Sequence, residues 1–387
     1  MLKSVSSNRV TQTNFWSNTT KIVLAILISL FALVSVAFTY SADAAQQDFN
    51  ADGKADLLFA NTDGSVAMWL MNGAALASGA GLLGAASGWT VTHTADFNGD
   101  GKADLLFRHT DGRIVMWLMD GTTIIGGGLL LGPASGWSVS RVADFNGDGR
   151  ADLLFRHTDG SVAMWLMNGA SLIGGAQLLG AASGWDVTHV ADFNGDGKAD
   201  ILFRHTDGSI AMWLMNGASI VGGGTLLGAG SGWIVRHTAD FNGDGRADLI
   251  LRHADGREFM WLMNGATIVS GAALLGAATG WTITHTNDFN GDGKADLLFS
   301  HTDGSVAMWL MNGSTLLGGG VLLGGATGWS VRQTDDYNGD GKADLIFRHT
   351  DGRVAIWLMN GFTVTSNVTV LGAGVWSEIP DRSGGCN

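Results

Sequence analysis

Short apolar segments separated by turn-forming residues recur along the chain. Within residues 89–136, such segments begin at Trp89, Leu105, Ile114 and Thr123, and Asp-Gly dipeptides separate the last three. Turn dipeptides of this kind between apolar runs predict β-hairpins. No segment shows a sustained helical period. The pattern therefore predicts four short antiparallel strands and no helix in this stretch.

The same pattern returns every 48 residues, and an acidic motif marks each repeat. Strands such as VAMWLM are apolar on both faces, which is expected where a sheet lies between two neighbouring sheets. Seven repeats of four strands predict an all-β protein, a seven-bladed β-propeller of four-stranded antiparallel blades. The repeats begin at Asp48, Asp96, Asp144, Asp192, Asp240, Asp288 and Asp336.

The two ends of the repeat array are complementary. No strand precedes the first acidic motif, whereas the last repeat continues into residues 375–379, which align with the opening strands of other repeats. We therefore predict that this C-terminal strand completes the first blade, beside residues 55–85. A ring joined in this way should resist fraying, because opening it breaks an interior sheet.

The N-terminal segment has the features of an export signal. Basic residues precede an apolar run over residues 22–38, and Ala42-Asp43-Ala44 forms a small-residue cleavage pattern. We expect cleavage after Ala44 and an extracellular, cell-surface or periplasmic protein. Because the apolar run is long, an uncleaved membrane anchor is the alternative. The predicted domains are a signal peptide (1–44), the propeller (45–381) and a tail (382–387), which holds the single cysteine, Cys386.

The acidic motif has the spacing D-x-N-x-D-G-x-x-D, and in the second repeat it runs from Asp96 to Asp104. Calcium prefers about six to eight oxygen ligands, and carboxylates, an amide and a backbone carbonyl supply oxygens here. The twelfth position is Phe107 instead of Glu, so the loop is not an EF-hand. Magnesium fits less well because it demands a tight octahedron. We predict up to seven Ca²⁺ ions.

The predicted metal ligands occupy the first, third, fifth, seventh and ninth positions of each motif, the seventh through its backbone carbonyl. They are Asp48, Asn50, Asp52, Lys54, Asp56, Asp96, Asn98, Asp100, Lys102, Asp104, Asp144, Asn146, Asp148, Arg150, Asp152, Asp192, Asn194, Asp196, Lys198, Asp200, Asp240, Asn242, Asp244, Arg246, Asp248, Asp288, Asn290, Asp292, Lys294, Asp296, Asp336, Asn338, Asp340, Lys342 and Asp344.

Composition and charge exclude some classes of function. The net charge is −13, and 21 of the 35 acidic residues lie in the motifs. Nucleic acid is not expected as a partner, because phosphate contacts require clustered Lys and Arg. Catalysis would require one blade with unusual polar residues, but the irregular acids lie in different repeats, so no enzyme is predicted. These acids are Asp120, Asp186, Glu258 and Asp335.

A second candidate site precedes the Asp-Gly turn, where Arg-His pairs recur. With the tryptophan of the following strand they predict a sugar pocket, an aromatic platform edged by hydrogen-bond donors. The other interpretation is packing, in which tryptophan fills the gap between blades and arginine stacks on it. The candidates are Trp117, Arg108, His109, Trp165, Arg156, His157, Trp213, Arg204 and His205. A separate histidine series is expected to face the central channel: His93, His189, His237 and His285.

The segment DFNGDGKADLLF (residues 96–107) and its copies resemble the FG-GAP/VCBS repeat family, including the calcium-bearing blades of integrin α-subunit propellers. The resemblance covers about residues 48–380, although the FG and GAP segments are poorly kept. It implies that the motif residues are calcium ligands on blade hairpins. Some seven-bladed fungal and bacterial lectins are more loosely similar and bind sugars between blades.

These observations favour an exported, non-catalytic module for binding or adhesion, with a lectin-like version among the alternatives. Its expected partners are glycans or extracellular and cell-surface proteins, and a membrane only if the N-terminal segment is uncleaved. A monomer is expected. The competing interpretations are a structural scaffold for cell-envelope assembly and a polysaccharide-active enzyme.

Overall fold

The computed structural model describes residues 47–379. The predicted signal segment (1–44) and the tail (382–387), with Cys386, lie outside the described residues, and so do residues 45–46 and 380–381 at the two ends of the predicted propeller. Within this range the chain forms 28 strands and no helix. No membrane-spanning helix is therefore present among residues 47–379.

The strands form seven separate four-stranded antiparallel sheets. The innermost strands, from the second blade to the seventh and then the first, are β4 (Trp89–Ala95), β8 (Trp137–Ala143), β12 (Trp185–Ala191), β16 (Trp233–Ala239), β20 (Trp281–Asn287), β24 (Trp329–Asp335) and β28 (Trp376–Glu378). The second strands, from the first blade onward, are β1 (Leu57–Asn61), β5 (Asp104–His109), β9 (Asp152–His157), β13 (Asp200–His205), β17 (Asp248–His253), β21 (Asp296–His301) and β25 (Asp344–His349).

The remaining strands lie toward the outside. The third strands are β2 (Val66–Asn72), β6 (Ile114–Asp120), β10 (Val162–Asn168), β14 (Ile210–Asn216), β18 (Glu258–Asn264), β22 (Val306–Asn312) and β26 (Val354–Asn360). The outermost strands are β3 (Ala75–Leu83), β7 (Thr123–Leu131), β11 (Ser171–Leu179), β15 (Ser219–Leu227), β19 (Thr267–Leu275), β23 (Thr315–Leu323) and β27 (Thr363–Leu371). The predicted seven-bladed propeller is confirmed.

The hydrophobic core is divided into seven clusters, one between each pair of neighbouring blades. The cluster between the last and first blades contains Ile346 and Ile356 from one side and Leu57 and Met71 from the other, all fully buried. Both faces of a blade are thus buried against neighbours. This explains why the middle strands are apolar at almost every position.

The first blade is completed from both ends of the chain. Strand β28 pairs antiparallel with β1, with Trp376 opposite Asn61. Just before the first acidic loop, the Gln47 carbonyl accepts a hydrogen bond from the Asp56 N–H at 3.0 Å. The innermost strand of this blade is therefore split between the two ends, and the predicted closure by the C-terminal strand is confirmed.

The histidines of the innermost strands are enclosed. His93, His189 and His237 are buried, and the Nε2 atom of His237 lies 3.0 Å from the Ile283 carbonyl of the next blade. Burial lowers the pKa of His189 to about 3, and it lowers the pKa values of His237 and His285 to about 4. These side chains were expected to face the channel. His237 bonds to the next blade, and burial keeps His189, His237 and His285 uncharged at neutral pH.

Candidate metal-binding loops

Each acidic loop joins the innermost strand of its blade to the second strand. The Asn-Gly or Asp-Gly turn between the third and fourth strands lies at the same end of the blade, because successive strands are antiparallel. We call this end the loop face. The opposite end, the turn face, carries the turns between the second and third strands and the connections between blades.

The loop of the second blade is wrapped around its first residue. Asp96 Oδ1 accepts hydrogen bonds from the N–H groups of Asn98 at 3.1 Å and Gly99 at 2.6 Å. Its Oδ2 atom accepts one from the Gly101 N–H at 2.7 Å. Both glycines have φ near +80°, a conformation that glycine adopts readily. The backbone of the loop is therefore preorganised around one carboxylate.

The last aspartate of each loop is buried and bridges two parts of its blade. Asp104 is fully buried, and its Oδ2 accepts the Phe97 N–H at 3.0 Å while its Oδ1 accepts the Met119 N–H of β6 at 2.8 Å. Sequence reasoning assigned this residue only to the metal and missed its structural bonds. The same pair of bonds occurs at Asp56, Asp104, Asp152, Asp200, Asp248, Asp296 and Asp344.

The residues of the loop fit a hard cation by their chemistry. An ionised carboxylate has about four lone-pair sites, so Asp104 keeps acceptor capacity after its two N–H bonds. The negative charges of Asp96 and Asp100 add to the effect of burial in raising the pKa of Asp104, a repulsion that a cation would cancel. Among residues 47–379, no three His, Cys, Asp or Glu side chains already converge on one point. Binding would therefore draw the oxygens together.

These buried carboxyls predict a pH dependence for the metal-free protein. Burial raises the pKa of all seven to about 7 from an ordinary 3.8. Between those values the folded protein holds protons that the unfolded chain has lost, so this contribution to stability disappears as the pH rises through about 7. The buried histidines have the opposite effect, but only below their ordinary pKa of 6.5.

We therefore expect the melting temperature in EDTA to fall by several degrees between pH 6.5 and pH 8. Scanning calorimetry at constant ionic strength measures it. A melting temperature that rises over this interval would contradict the assignment of these carboxyls as the dominant titrating groups.

The seven loops are connected to one another around the ring. The Asp96 carbonyl accepts the Ala151 N–H of the next loop at 2.8 Å, and the Phe97 carbonyl accepts the Gly169 N–H of the next blade at 2.7 Å. Equivalent bonds join every neighbouring pair, including the last and first blades. A conformational change in one loop therefore affects the position of the next blade directly.

The turn face carries an aromatic cluster in most blades. In the second blade Trp89 lies 4.8 Å from His109, ring centre to ring centre, and the His109 Nδ1 atom is 2.8 Å from a carboxylate oxygen of Asp111. The Arg113 guanidinium lies 5.4 Å from the centre of the Trp89 ring. Arginines cover the corresponding tryptophan in three blades, the other two being Arg257 over Trp233 and Arg353 over Trp329.

The predicted grouping of Trp117 with His109 does not form. Trp117 pairs with Leu105 and packs against Phe107 at 4.5 Å, whereas His109 pairs with Trp89. The two positions are four residues apart on β5, a separation of about 13 Å. The same register separates Trp165 from His157 and Trp213 from His205. The aromatic partner of each histidine is the tryptophan that opens the innermost strand.

Arginines before the turn contact the next blade where the partner residue permits it. Arg156 pairs with Asp186, and Arg252 donates to Thr282 Oγ1 at 2.8 Å. Arg108 and Arg204 are largely exposed. Of the other irregular acids, Asp120 pairs with Lys102 at 2.6 Å. The four irregular acids lie in four different blades, and the structure does not bring them together.

The fifth blade departs from the repeat near its turn between the second and third strands. Glu258 stands where the other blades have valine or isoleucine, and its buried carboxylate is 2.5 Å from the Arg252 guanidinium. Ala254 replaces the threonine found in the other blades. Beside them a cavity of about 300 Å³ opens toward the sixth blade. It is lined by Arg252, Ala254, Asp255, Gly256, Ala278, Thr279, Gly280, Trp281, Thr282 and Thr302.

Two solved structures are similar to this chain at low sequence identity. The C-terminal WD40 domain of Sif2 is 16% identical, with a TM-score of 0.45 over 81% of this chain and 83% of that chain. The β-propeller domain of Cps50 (Swd1) from Myceliophteria thermophila is 13% identical, with a TM-score of 0.48 over 82% and 97%. No curated protein matches the chain.

The repeats themselves match a known family. The FG-GAP-like repeat matches five times in overlapping windows, at residues 48–107, 96–155, 144–203, 192–251 and 240–299. These windows begin at the acidic motifs and together span more than half of the chain, as the resemblance of those motifs predicted. The chain belongs to the FG-GAP-like repeat family.

Proposed function

We propose that this FG-GAP-like propeller is an exported, non-catalytic binding module whose ring of acidic loops takes up calcium. A repeat-based binding module is what the family and fold support in general. The observation that carries the calcium proposal is the set of seven equivalent oxygen-rich loops, bonded to one another around a closed ring. One loop of this kind could be a simple turn, but seven with the same buried aspartate indicate a common ligand.

In each loop the cation would be held by the first, third, fifth and ninth side chains and the seventh backbone carbonyl, here Asp96, Asn98, Asp100, Asp104 and Lys102. Bound calcium supplies positive charge that offsets the repulsion among three carboxylates. Asp104 also bonds to Met119 on the third strand, so binding in the loop would stabilise the whole blade. Metal uptake is then linked to folding.

We expect a partner to bind on the turn face, because the metal loops occupy the opposite end of the blades. A carbohydrate is the candidate ligand that a specific observation favours, namely the cavity between the fifth and sixth blades. Its charges are paired, Arg252 with Glu258 and Asp255 with Arg257, which suits a neutral ligand. Threonine hydroxyls and the ring of Trp281 supply the polar and aromatic contacts that a sugar ring uses.

The experiment is a binding screen of the purified protein against glycans and extracellular proteins, in calcium and in EDTA. We expect uptake of up to seven Ca²⁺ ions, with dissociation constants of about 10⁻⁴–10⁻³ M. Trp281→Ala should weaken glycan binding about tenfold or more, a loss typical of a central contact residue. Trp89→Ala is the matched control, because Arg113 covers that ring.

The outcomes separate the parts of the proposal. Failure to take up calcium would remove the role of the loops while leaving the binding module open. Absence of any glycan or protein ligand in both conditions would overturn the binding module. Stable co-purifying envelope proteins without glycan binding would instead favour the scaffold, and turnover of a polysaccharide would favour the enzyme.

A further inference from the structure

The outer edge of the propeller differs in charge from the rest of the chain. We call the seven outermost strands the rim strands: β3, β7, β11, β15, β19, β23 and β27. Each has nine residues, and none contains a charged residue. The whole chain has 35 acidic and 22 basic side chains, so their exclusion from these exposed strands is a strong bias.

In place of charge, five consecutive blades expose two adjacent aliphatic side chains near the start of the rim strand. Their exposed fractions lie between 41% and 65%. In the first and seventh blades the second of the two positions holds Ala77 and Thr365. These aliphatic pairs are Ile124-Ile125, Leu172-Ile173, Ile220-Val221, Ile268-Val269 and Leu316-Leu317.

A β-bulge explains why neighbouring side chains are exposed together. In the second blade Met119 lies opposite Ile124 and Leu118 lies opposite Gly126, so Ile125 is an extra residue in the rim strand. The same shift in register occurs in each of the other blades with an aliphatic pair. A second bulge lies near the end of each rim strand, which leaves a regular stretch of about four residues between them.

The rim strands are also unpaired edges. Each one pairs with the third strand of its blade on one side only, within the part of the chain that the structure describes. Natural proteins usually protect such edges with lysine, proline or inward-facing charges. The rim strands contain no lysine and no proline, so only their bulges limit pairing. An exposed apolar patch beside an unpaired edge is typical of an interaction site.

We propose that the rim is a self-association surface on which a second copy of this chain docks edge to edge. Without bound calcium, two copies with a net charge of −13 repel each other, but the uncharged rim brings no like charges together. Two rim strands can pair antiparallel about a two-fold axis, which is a self-complementary contact. With the axis through the middle of the regular stretch, each aliphatic pair then packs against the last two residues of the partner's rim strand, beside the new backbone hydrogen bonds.

The geometry favours a second copy over a lipid bilayer. The aliphatic pairs occur once per blade and are distributed around the ring, so a flat surface would meet few of them at a time. A second ring needs only one edge on each side. Because one copy offers five such edges, further copies can join and give open assemblies. This inference is independent of the calcium and glycan proposals, and it departs from the monomer that the sequence predicts.

The test is sedimentation velocity of the purified full chain in EDTA, over a range of concentrations and at low and high salt. The rim variant carries Ile125→Lys, Ile173→Lys, Val221→Lys and Val269→Lys. The control carries the same four added charges on exposed connections of the turn face, Ala85→Lys, Ala181→Lys, Ala229→Lys and Ala277→Lys. All proteins share one N-terminal segment, so any contribution from that segment cancels.

We expect the wild type and the control to associate as concentration rises, and more strongly at high salt, because salt screens the repulsion between acidic bodies. The rim variant should require a concentration at least about tenfold higher. If circular dichroism shows that the lysines impair folding, threonine is used at the same four positions in their place. Threonine is the residue that the seventh blade has at the equivalent position. A wild type that stays monomeric throughout, or equal weakening by rim and control variants, would overturn the proposal. Association only with neutral phosphatidylcholine vesicles would overturn it as well.

Discussion

Removing calcium with EDTA is expected to lower the melting temperature by more than about 10 °C relative to the protein in 10 mM calcium. A ligand that binds only the folded state stabilises it according to its concentration relative to the dissociation constant. At dissociation constants of about 10⁻⁴–10⁻³ M, each loop would contribute about 1.4–2.7 kcal/mol in 10 mM calcium. Seven loops would add about 10 kcal/mol or more, comparable with the whole stability of an ordinary domain.

The seven repeats permit a stepwise version of this experiment. Asp148→Asn removes one carboxylate from an exposed position but can keep the hydrogen bond that Asp148 accepts from the Arg150 N–H at 3.0 Å. We expect this variant to melt like the wild type in EDTA and to lose about one seventh of the gain from calcium. Adding Asp244→Asn in another blade should remove about the same amount again, because the two loops are not neighbours.

Magnesium at equal concentration is the control, since an ion that demands a tight octahedron should stabilise these loops less. Calcium should also give a larger gain at pH 8 than at pH 6.5, because the buried carboxyls must be ionised to bind it. Equal melting temperatures in calcium and EDTA would contradict the role assigned to the loops. Equal gains from calcium and magnesium would indicate screening of charge in place of a specific site.

The 48-residue period was enough to predict the architecture. Blade number follows from copy number, and closure follows from the alignment of Trp376 with the opening residues of other repeats. The strand register across the Asp111-Gly112 turn could also have been predicted from the sequence. It places Arg108 opposite Ile114 and therefore places Trp117 far from His109. Counting residues outward from this turn would have shown that Trp117 and His109 do not share a pocket.

Contacts between blades were harder to foresee. The repeat spacing shows that Asp104 belongs to an oxygen-rich loop, but not that Met119, 15 residues later, donates to it. The enclosure of the histidines likewise depends on how closely the innermost strands approach. Local pattern determines each hairpin, whereas these features arise only when seven hairpin sheets are packed around an axis.

Replacing Glu378 with alanine is expected to destabilise the ring by about 2–4 kcal/mol, as the loss of one partner from a mostly buried ion pair does. Glu378 lies on β28, and its carboxylate is 3.0 Å from the Arg348 Nη1 atom and 3.2 Å from the Arg332 Nε atom of the last blade. The Glu378 side chain is 1% exposed. The Arg348 guanidinium also donates to the Trp376 carbonyl at 2.9 Å, so it holds both the side chain and the backbone of the closing strand.

Asp186→Ala is the control, because Arg156 is the equivalent of Arg348 in the third blade and pairs with Asp186 of the fourth blade, one strand position before the equivalent of Glu378. The Asp186 side chain is 58% exposed, so its loss should cost less than about 1 kcal/mol. Urea unfolding followed by tryptophan fluorescence measures both variants. Glu378→Ala should also speed hydrogen exchange in β1 before the other second strands, because β1 loses its inner neighbour when β28 detaches. Equal costs for the two substitutions, or exchange that is unchanged in β1, would show that these arginine contacts do not hold the ring closed.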